Sequence, residues 1–175
     1  GAVDQFRIAK EAYENQDWDA FIQNMELIQR VEPDKADILY YIGEAYRFKG
    51  DTSRAAAAYN DAIDIDPNFG PPYLGLARVR LLNNPNFNAE TLFKQAIERD
   101  PNFGEVYLER ARWLIGRGDY EEAFEDLEIA EKILPGSPEI YLAYATAYLE
   151  QDDKEKALEF AQKAYAADVL NLPTY

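Results

Sequence analysis

The chain of 175 residues is 47% hydrophobic and 29% charged, a composition typical of a folded globular protein with a buried core. Eighteen Lys and Arg against 33 Asp and Glu give a net charge of −15, which disfavours nucleic acid phosphates as partners. No apolar run approaches the ~18 residues that a membrane-spanning helix needs, so we expect no membrane contact by this chain.

A repeat of 34 residues runs through the sequence. The segment DPNFG occurs at 66–70 and again at 100–104, and the residues after each copy match at the same separation. The matched pairs include Tyr73 with Tyr107, Leu74 with Leu108, Ala77 with Ala111 and Arg78 with Arg112. Because repeats of this length indicate stacked helical units, we expect the fold to consist of copies of one unit.

The second repeat shows the pattern of large and small residues most fully. Small residues stand at Gly43, Ala55 and Ala62, where two antiparallel helices would approach closely, and Tyr46 and Tyr59 would fill the space between them. This pattern resembles the tetratricopeptide repeat (TPR) family, whose unit is a helix-turn-helix of about 34 residues. The resemblance implies an all-α fold, a right-handed superhelical α-solenoid of about five such units.

The predicted units follow in chain order and form a single array over 1–175. Their ranges are 2–35, 36–69, 70–103, 104–137 and 138–171, which leaves 172–175 as the start of a further, truncated unit. In the third unit the usual Gly-Asp turn is replaced by the segment 83–88, while Ala89 and Phe93 keep the register, so we expect a remodelled turn. Capping residues predict helix starts at Asp34, Asn102, Asp119 and Ser137.

The side chains that catalysis commonly uses are scarce. The chain has no His and no Cys, its serines are Ser53 and Ser137, and it has no glycine-rich phosphate loop. Carboxylates are numerous enough for an acid-base pair, but no pattern places two of them in an apolar pocket. We therefore predict a non-catalytic protein without a cofactor.

A run of acids in the fourth unit is open to two interpretations. Its members are Glu121, Glu122, Glu125, Asp126 and Glu128. Acids four apart share a helix face and could hold a divalent cation, but the run lacks the loop and carbonyl ligands of a calcium motif. Like charges at this spacing usually face solvent, so we favour a solvated helix face and predict no metal site.

The family resemblance implies that the first helix of each unit lines a concave groove. Its ninth positions, in chain order, are Lys10, Glu44, Arg78, Arg112 and Thr146. Its twelfth positions are Tyr13, Arg47, Leu81, Ile115 and Leu149. Its fifth positions are Phe6, Tyr40, Leu74, Leu108 and Leu142, with Phe48 and Leu82 at thirteenth positions beside them. The predicted groove thus sets cations beside an apolar stripe.

This groove favours a peptide or protein partner with acidic and apolar side chains, because the cations gather on one face of an otherwise strongly acidic chain. The alternative is structural. In that interpretation Arg78 and Arg112 pair with acids on neighbouring helices, namely Glu44, Glu105 or Glu109, and the apolar stripe is ordinary packing between helices.

The predicted function is a protein-protein interaction scaffold. One rival is a module for self-assembly as a homo-oligomer, or for positioning a neighbouring domain. The other is the regulatory or substrate-binding arm of an enzyme whose catalytic domain lies outside 1–175. The chain begins with Gly1 and its only methionine is Met25, so we expect it to belong to a longer protein, and its compartment is left unassigned.

Overall fold

The computed structural model describes residues 1–170, in which all regular structure is α-helical. The ten helices are α1 (Ala2–Glu14), α2 (Trp18–Val31), α3 (Ala36–Phe48), α4 (Thr52–Ile65), α5 (Pro71–Asn83), α6 (Glu90–Arg99), α7 (Gly104–Arg117), α8 (Tyr120–Ile133), α9 (Pro138–Glu150) and α10 (Lys154–Leu170). Each predicted repeat contains two helices, so five helix-turn-helix units account for all ten. The further unit predicted at 172–175 lies outside the described residues. Within them, no helix is long and apolar enough to cross a membrane.

The chain divides into two compact units. The N-terminal unit runs from Gly1 to Asp100 and contains α1 to α6, and the C-terminal unit begins at Pro101 and contains α7 to α10. Within each unit, consecutive helices pack against each other. The first helices of successive repeats also touch, α3 with α5 and α7 with α9. The unit boundary falls inside the predicted repeat 70–103, and the single array over 1–175 stays a prediction.

Tyr59 on α4 is the centre of packing in the N-terminal unit. Its side chain is fully buried, and the backbones of two first helices press on its ring. A Cβ added at Gly43 of α3 would lie 2.6 Å from Tyr59 Cε1, and one at Gly75 of α5 would lie 2.5 Å from Tyr59 Cζ. The small residue that the repeat pattern predicts at Gly43 is therefore required by close helix packing.

Aromatic rings hold the second helices of the C-terminal unit against α9. Phe124 of α8 lies 5.9 Å from Tyr144 and 4.9 Å from Tyr148, measured between ring centroids. Phe160 of α10, which belongs to the same repeat as α9, stacks on Tyr144 at 4.6 Å. Such offset contacts between rings stabilise packing beyond the burial of their area. Tyr144 thus joins α8, α9 and α10.

The repeated DPNFG segments are joints between repeats. In each one the proline carbonyl accepts a hydrogen bond from the tyrosine hydroxyl of the following helix. Tyr73 donates to Pro67 O at 2.8 Å, and Tyr107 donates to Pro101 O at 3.1 Å. Because these bonds link the end of one repeat to the first helix of the next, the repetition of the segment has an architectural cause.

The turns inside the repeats share a left-handed residue at one register position. Gly50 and Gly118 have φ of 83°, and Gln16 and Asp152 occupy the same position with φ of 56° and 61°. The third repeat differs, because its residue Asn84 has an extended φ of −145° and α6 begins only at Glu90. The remodelled turn predicted there is confirmed.

Two of the four predicted helix starts are wrong by one residue. The N-cap of α3 is Lys35 and that of α7 is Phe103, where the sequence predicts Asp34 and Asn102. The first residues of both helices, Ala36 and Gly104, are buried. Tertiary packing rather than side-chain capping therefore sets these starts.

The other two predicted starts hold, but their side chains do not cap the helix. Asp119 and Ser137 are N-cap residues without a side-chain bond to the helix backbone. Asp119 Oδ2 instead accepts from Arg117 Nε at 3.2 Å, and Ser137 Oγ donates to Glu139 Oε2 at 2.9 Å. The sequence therefore predicts where these two helices begin, but it does not predict which group the N-cap side chain binds.

Candidate functional site

The clearest candidate site is a cleft between the first helices of the C-terminal unit. Its volume is about 350 Å³, and residues of α7 and α9 line it. Four predicted groove positions come together here, namely Arg112, Ile115, Leu142 and Thr146. Glu150 also lines the cleft and adds an acid to it. The repeat register explains this meeting, because α7 and α9 present the same face side by side.

Arg112 supplies the positive charge of the cleft. Its Nη1 lies 3.3 Å from Glu109 Oε1, and its side chain remains 44% exposed. Glu139 has its pKa lowered by the hydrogen bond from its own backbone N–H, by the Ser137 hydroxyl and, to a smaller extent, by Arg112. Because exposed ion pairs of this kind contribute little, the guanidinium can exchange Glu109 for the carboxylate of a ligand.

Leu142 makes the apolar part of the cleft. Its side chain is 52% exposed, and Leu149, seven residues further along α9, is also exposed. Thr146 lies between them on the same helix, and its Oγ1 donates to Leu142 O at 2.9 Å. The cleft therefore offers a cation, an apolar surface and a hydroxyl already bonded within its helix. Leu108, predicted to join this stripe, is buried in the core of the unit.

Two groove positions of the N-terminal unit, Glu44 and Arg47, belong to a largely buried polar cluster with Tyr59. Glu44 is only 8% exposed and accepts two bonds from Arg47, Nε to Oε1 at 3.2 Å and Nη2 to Oε2 at 2.7 Å. The Tyr59 hydroxyl also donates to Glu44 Oε1. Burial, and next the Glu44 carboxylate, raises the pKa of Tyr40 to about 12, against the opposing effects of Arg78 and Arg47.

This cluster changes the expected electrostatics of the groove. The sequence predicts Glu44 as an acid that lines the groove, but Arg47 and Tyr59 bind its carboxylate inside the unit. Arg47 therefore has a structural partner on its own helix, to which it is bonded in a bidentate manner, and its side chain is only 21% exposed. Leu74 is buried as well, while Arg78 and Leu81 are half-buried.

The first repeat presents a separate aromatic surface. Tyr13 contacts Trp18 at 5.4 Å, and Trp18 stacks on Phe48 at 4.9 Å. Arg47 Cζ lies 4.6 Å from the centre of the Phe48 ring. Lys10, also predicted for the groove, is exposed and lies 4.0 Å from Glu14. Sequence reasoning missed Trp18 because it lies on a second helix, and the predicted groove positions all lie on first helices.

The acid run of α8 contains one residue that does not face solvent. Asp126 is buried and binds Arg110 through two bonds, Nε to Oδ2 at 2.7 Å and Nη2 to Oδ1 at 2.8 Å. The other four acids of the run are exposed, so the solvated-face interpretation holds for them and is wrong for Asp126. Across the described part of the chain, no group of three or more acid side chains is placed to hold a metal ion.

Family models and solved structures identify the repeat. Tetratricopeptide repeat models match residues 6–68, 74–138 and 114–172. None of the curated proteins with which the sequence was compared matches it. The similar solved structures include TTC0263, a thermophilic TPR protein of Thermus thermophilus, at a TM-score of 0.79, 20% identity and coverage of 95% of this chain and 91% of that one.

Two further structures are similar over most of both chains. MamA gives a TM-score of 0.69 at 19% identity and covers 92% of this chain and 94% of its own. YrrB, described as a TPR protein with an unusual peptide-binding site, gives a TM-score of 0.62 at 20% identity. The aligned region covers 95% of this chain and 86% of the YrrB chain. At these identities the likeness establishes the fold alone.

The sequence models cover well over half of the chain, and the ten helices pair as the repeat requires. Members of this family are typically non-catalytic modules for protein interaction. The chain belongs to the tetratricopeptide repeat family.

Proposed function

We propose that this protein is a non-catalytic interaction scaffold that binds a peptide or protein segment on the first helices of its repeats. The observation that carries the proposal is the cleft between α7 and α9, where Arg112, Leu142 and Thr146 meet. YrrB, which shares the fold, is described as having a peptide-binding site, and this supports the same class of ligand here.

The chemistry of the cleft favours a ligand with a carboxylate next to an apolar side chain. The carboxylate would bind the Arg112 guanidinium in the bidentate geometry that arginine favours. The apolar side chain would cover Leu142, which is half exposed and therefore gains from burial. Glu150 lies in the same cleft and would repel a second acid at that end, so the ligand acid has one preferred position.

In the N-terminal unit, the proposed ligand contacts are fewer than the sequence predicts. Glu44, Arg47 and Leu74 are occupied by internal bonds or buried. Tyr40, Arg78 and Leu81 keep part of their side chains exposed, so they are the groove residues proposed for this unit. The ligand class stays the same, with acidic and apolar side chains.

The proposal can be tested by selecting ligands from a displayed library of random 12-residue peptides. We expect the selected peptides to combine Asp or Glu with Leu, Ile or an aromatic residue. Arg112→Glu and Leu142→Glu should each weaken binding of a selected peptide about tenfold or more, measured by fluorescence anisotropy.

The matched control is Arg54→Glu on α4, which makes the same charge change at an exposed arginine outside the cleft. It should leave affinity within about twofold, since an exposed charge remote from the ligand acts weakly. Peptides that bind all three variants equally, or a selection without consensus, would show that the cleft is not the binding site.

A further inference from the structure

A second charged side chain, Glu150 of α9, lines the cleft between α7 and α9. It is exposed, and its Oε2 accepts a hydrogen bond from the Tyr120 hydroxyl of α8 at 3.2 Å. In residues 1–170, which the structure describes, no Lys or Arg forms an ion pair with Glu150. A neutral hydroxyl thus orients the carboxylate while its negative charge stays uncompensated, and this suits a cation of a ligand.

The repeat position of Glu150 faces solvent in other repeats as well. The equivalent residues Phe48 of α3 and Gly116 of α7 are both exposed, although another repeat follows each of them. The residue that begins the second helix contacts this position of the next repeat, since Trp18 stacks on Phe48 as Tyr120 bonds to Glu150. An additional repeat after α10 would therefore leave Glu150 open to a ligand.

Gly116 gives the cleft its space. It lies one turn beyond Arg112 on α7, at the same repeat position as Glu150 on α9. Apart from its chain neighbours and the backbone of its own helix, no atom lies within 4 Å of a Cβ added at Gly116. The other repeats have large side chains at this position, namely Glu14, Phe48, Leu82 and Glu150. The missing side chain leaves room beside Arg112 for the chain of a ligand.

The repeat geometry sets the separation of the two charges. Thr146 of α9 is equivalent to Arg112 of α7, and Glu150 lies one turn beyond Thr146, about 6 Å further along the helix. Because packed helices lie about 8–10 Å apart between their axes, the backbone positions of Arg112 and Glu150 are separated by roughly 11 Å. An extended chain rises about 3.3 Å per residue, so roughly three residues span this distance.

We propose that the cleft takes a dipolar peptide segment, with a carboxylate on Arg112 and, about three residues away, a Lys or Arg side chain on Glu150. The chain between the two charges lies over Gly116. This inference rests on the function proposed for the cleft, and it adds a base to the acidic and apolar side chains of that ligand. A segment with its two charges exchanged would meet like charges at both ends, so the ligand binds in one direction.

The probes are fluorescein-labelled peptides selected on the wild type from a displayed library of random 12-residue peptides. We expect a Lys or Arg about three positions from the Asp or Glu of the consensus. Selection on Glu150→Arg should keep that acid and replace the base with a second acid at the same position. Glu128→Arg is the matched control, because it makes the same charge change at an exposed acid of α8 outside the cleft, and it should return the wild-type consensus.

Gly116→Leu tests the space over the α7 backbone. Leucine is the residue of the third repeat at this position, Leu82, so the repeat tolerates it. The variant should bind a selected peptide about tenfold more weakly or not at all by fluorescence anisotropy. Its midpoint of urea unfolding should be unchanged or raised, because leucine favours a helix more than glycine does. Wild-type affinity of Gly116→Leu would overturn the proposal.

Failure of this inference is distinguishable from failure of the function proposed for the cleft. A consensus without a base, or one that Glu150→Arg leaves unchanged, would overturn the inference, while loss of binding in Arg112→Glu would keep the cleft as the peptide site. Peptides that bind Arg112→Glu like the wild type, or a selection without consensus, would overturn both.

Sedimentation of the wild type distinguishes a peptide ligand from a second copy of the chain. A monomer at concentrations where the probe binds agrees with the proposal. Dimerisation in that range, abolished by Gly116→Leu, would instead assign the cleft to self-association and overturn it.

Discussion

Single residues in this protein are constrained by close contact between helix backbones. Tyr59 illustrates the constraint, because its ring is fully buried between Gly43 and Gly75 and its hydroxyl donates to Glu44. The ring cannot move away from one glycine without pressing on the other. Tight packing of this kind makes Tyr59 fix the distance between α3, α4 and α5, a role that its position in the repeat pattern only suggests.

Gly75→Ala should destabilise the protein by about 1–3 kcal/mol, because its Cβ would lie 2.5 Å from Tyr59 Cζ and the overpacking outweighs the helix propensity of Ala. Gly116→Ala is the control, since apart from its chain neighbours and the backbone of its own helix no atom lies within 4 Å of an added Cβ. It should be neutral or stabilising by up to about 1 kcal/mol. Urea unfolding at 25 °C measures both free energies. Equal stability of Gly75→Ala and wild type would contradict the tight packing of Tyr59 between Gly43 and Gly75.

At the scale of elements, the turn within four of the five repeats depends on one left-handed residue. Two repeats place glycine there, while Gln16 and Asp152 adopt the same conformation with a Cβ that disfavours it. The third repeat avoids the conformation by a longer connection before α6. The repeats thus share a fold while differing in the strain of their turns.

Gln16→Gly should stabilise the protein by about 1 kcal/mol, because glycine adopts φ of 56° without the steric cost of a Cβ. Gly50→Ala should do the reverse at the equivalent turn by a similar amount. The midpoint of urea unfolding reports both changes. If Gln16→Gly lowered the midpoint, the side chain of Gln16 would have to contribute more than its strained backbone costs.

At the scale of the whole molecule, the net charge of −15 opposes folding. Most of the acid run on α8 is exposed, so its charges repel one another across water rather than inside the protein. Asp126 is the exception, since the Arg110 guanidinium compensates it in a buried pair. A chain of this charge should therefore respond strongly to ionic strength.

We expect the melting temperature to rise when NaCl is increased from about 10 to about 200 mM, because salt shortens the range of repulsion between exposed acids to about 10 Å or less. Glu125→Gln with Glu128→Gln should raise the melting temperature at low salt and reduce the response to salt. Differential scanning fluorimetry measures both. A melting temperature that falls with salt would show that attractive ion pairs dominate the surface.

The sequence alone was sufficient for the repeat, the helix pairs and the small residues at helix contacts. These features follow from spacing along the chain, and spacing is what a sequence contains. The predicted starts of the helices that begin at Ala36 and Gly104 are wrong by one residue, because buried contacts rather than capping side chains determine them.

Which groove positions reach solvent was decided only by the tertiary structure. Leu74 and Leu142 have the same side chain at the same repeat position, yet the first is 2% exposed and the second 52%. Nothing in the sequence spacing of Glu44 and Asp126 distinguishes them from exposed acids. In the structure, Arg47 and Tyr59 bind Glu44, and Arg110 binds Asp126. The sequence determines the period and the pairs of helices. Exposure and charge pairing depend on what the neighbouring helices bring into contact, and residues 15 or 16 positions away supply two of these partners.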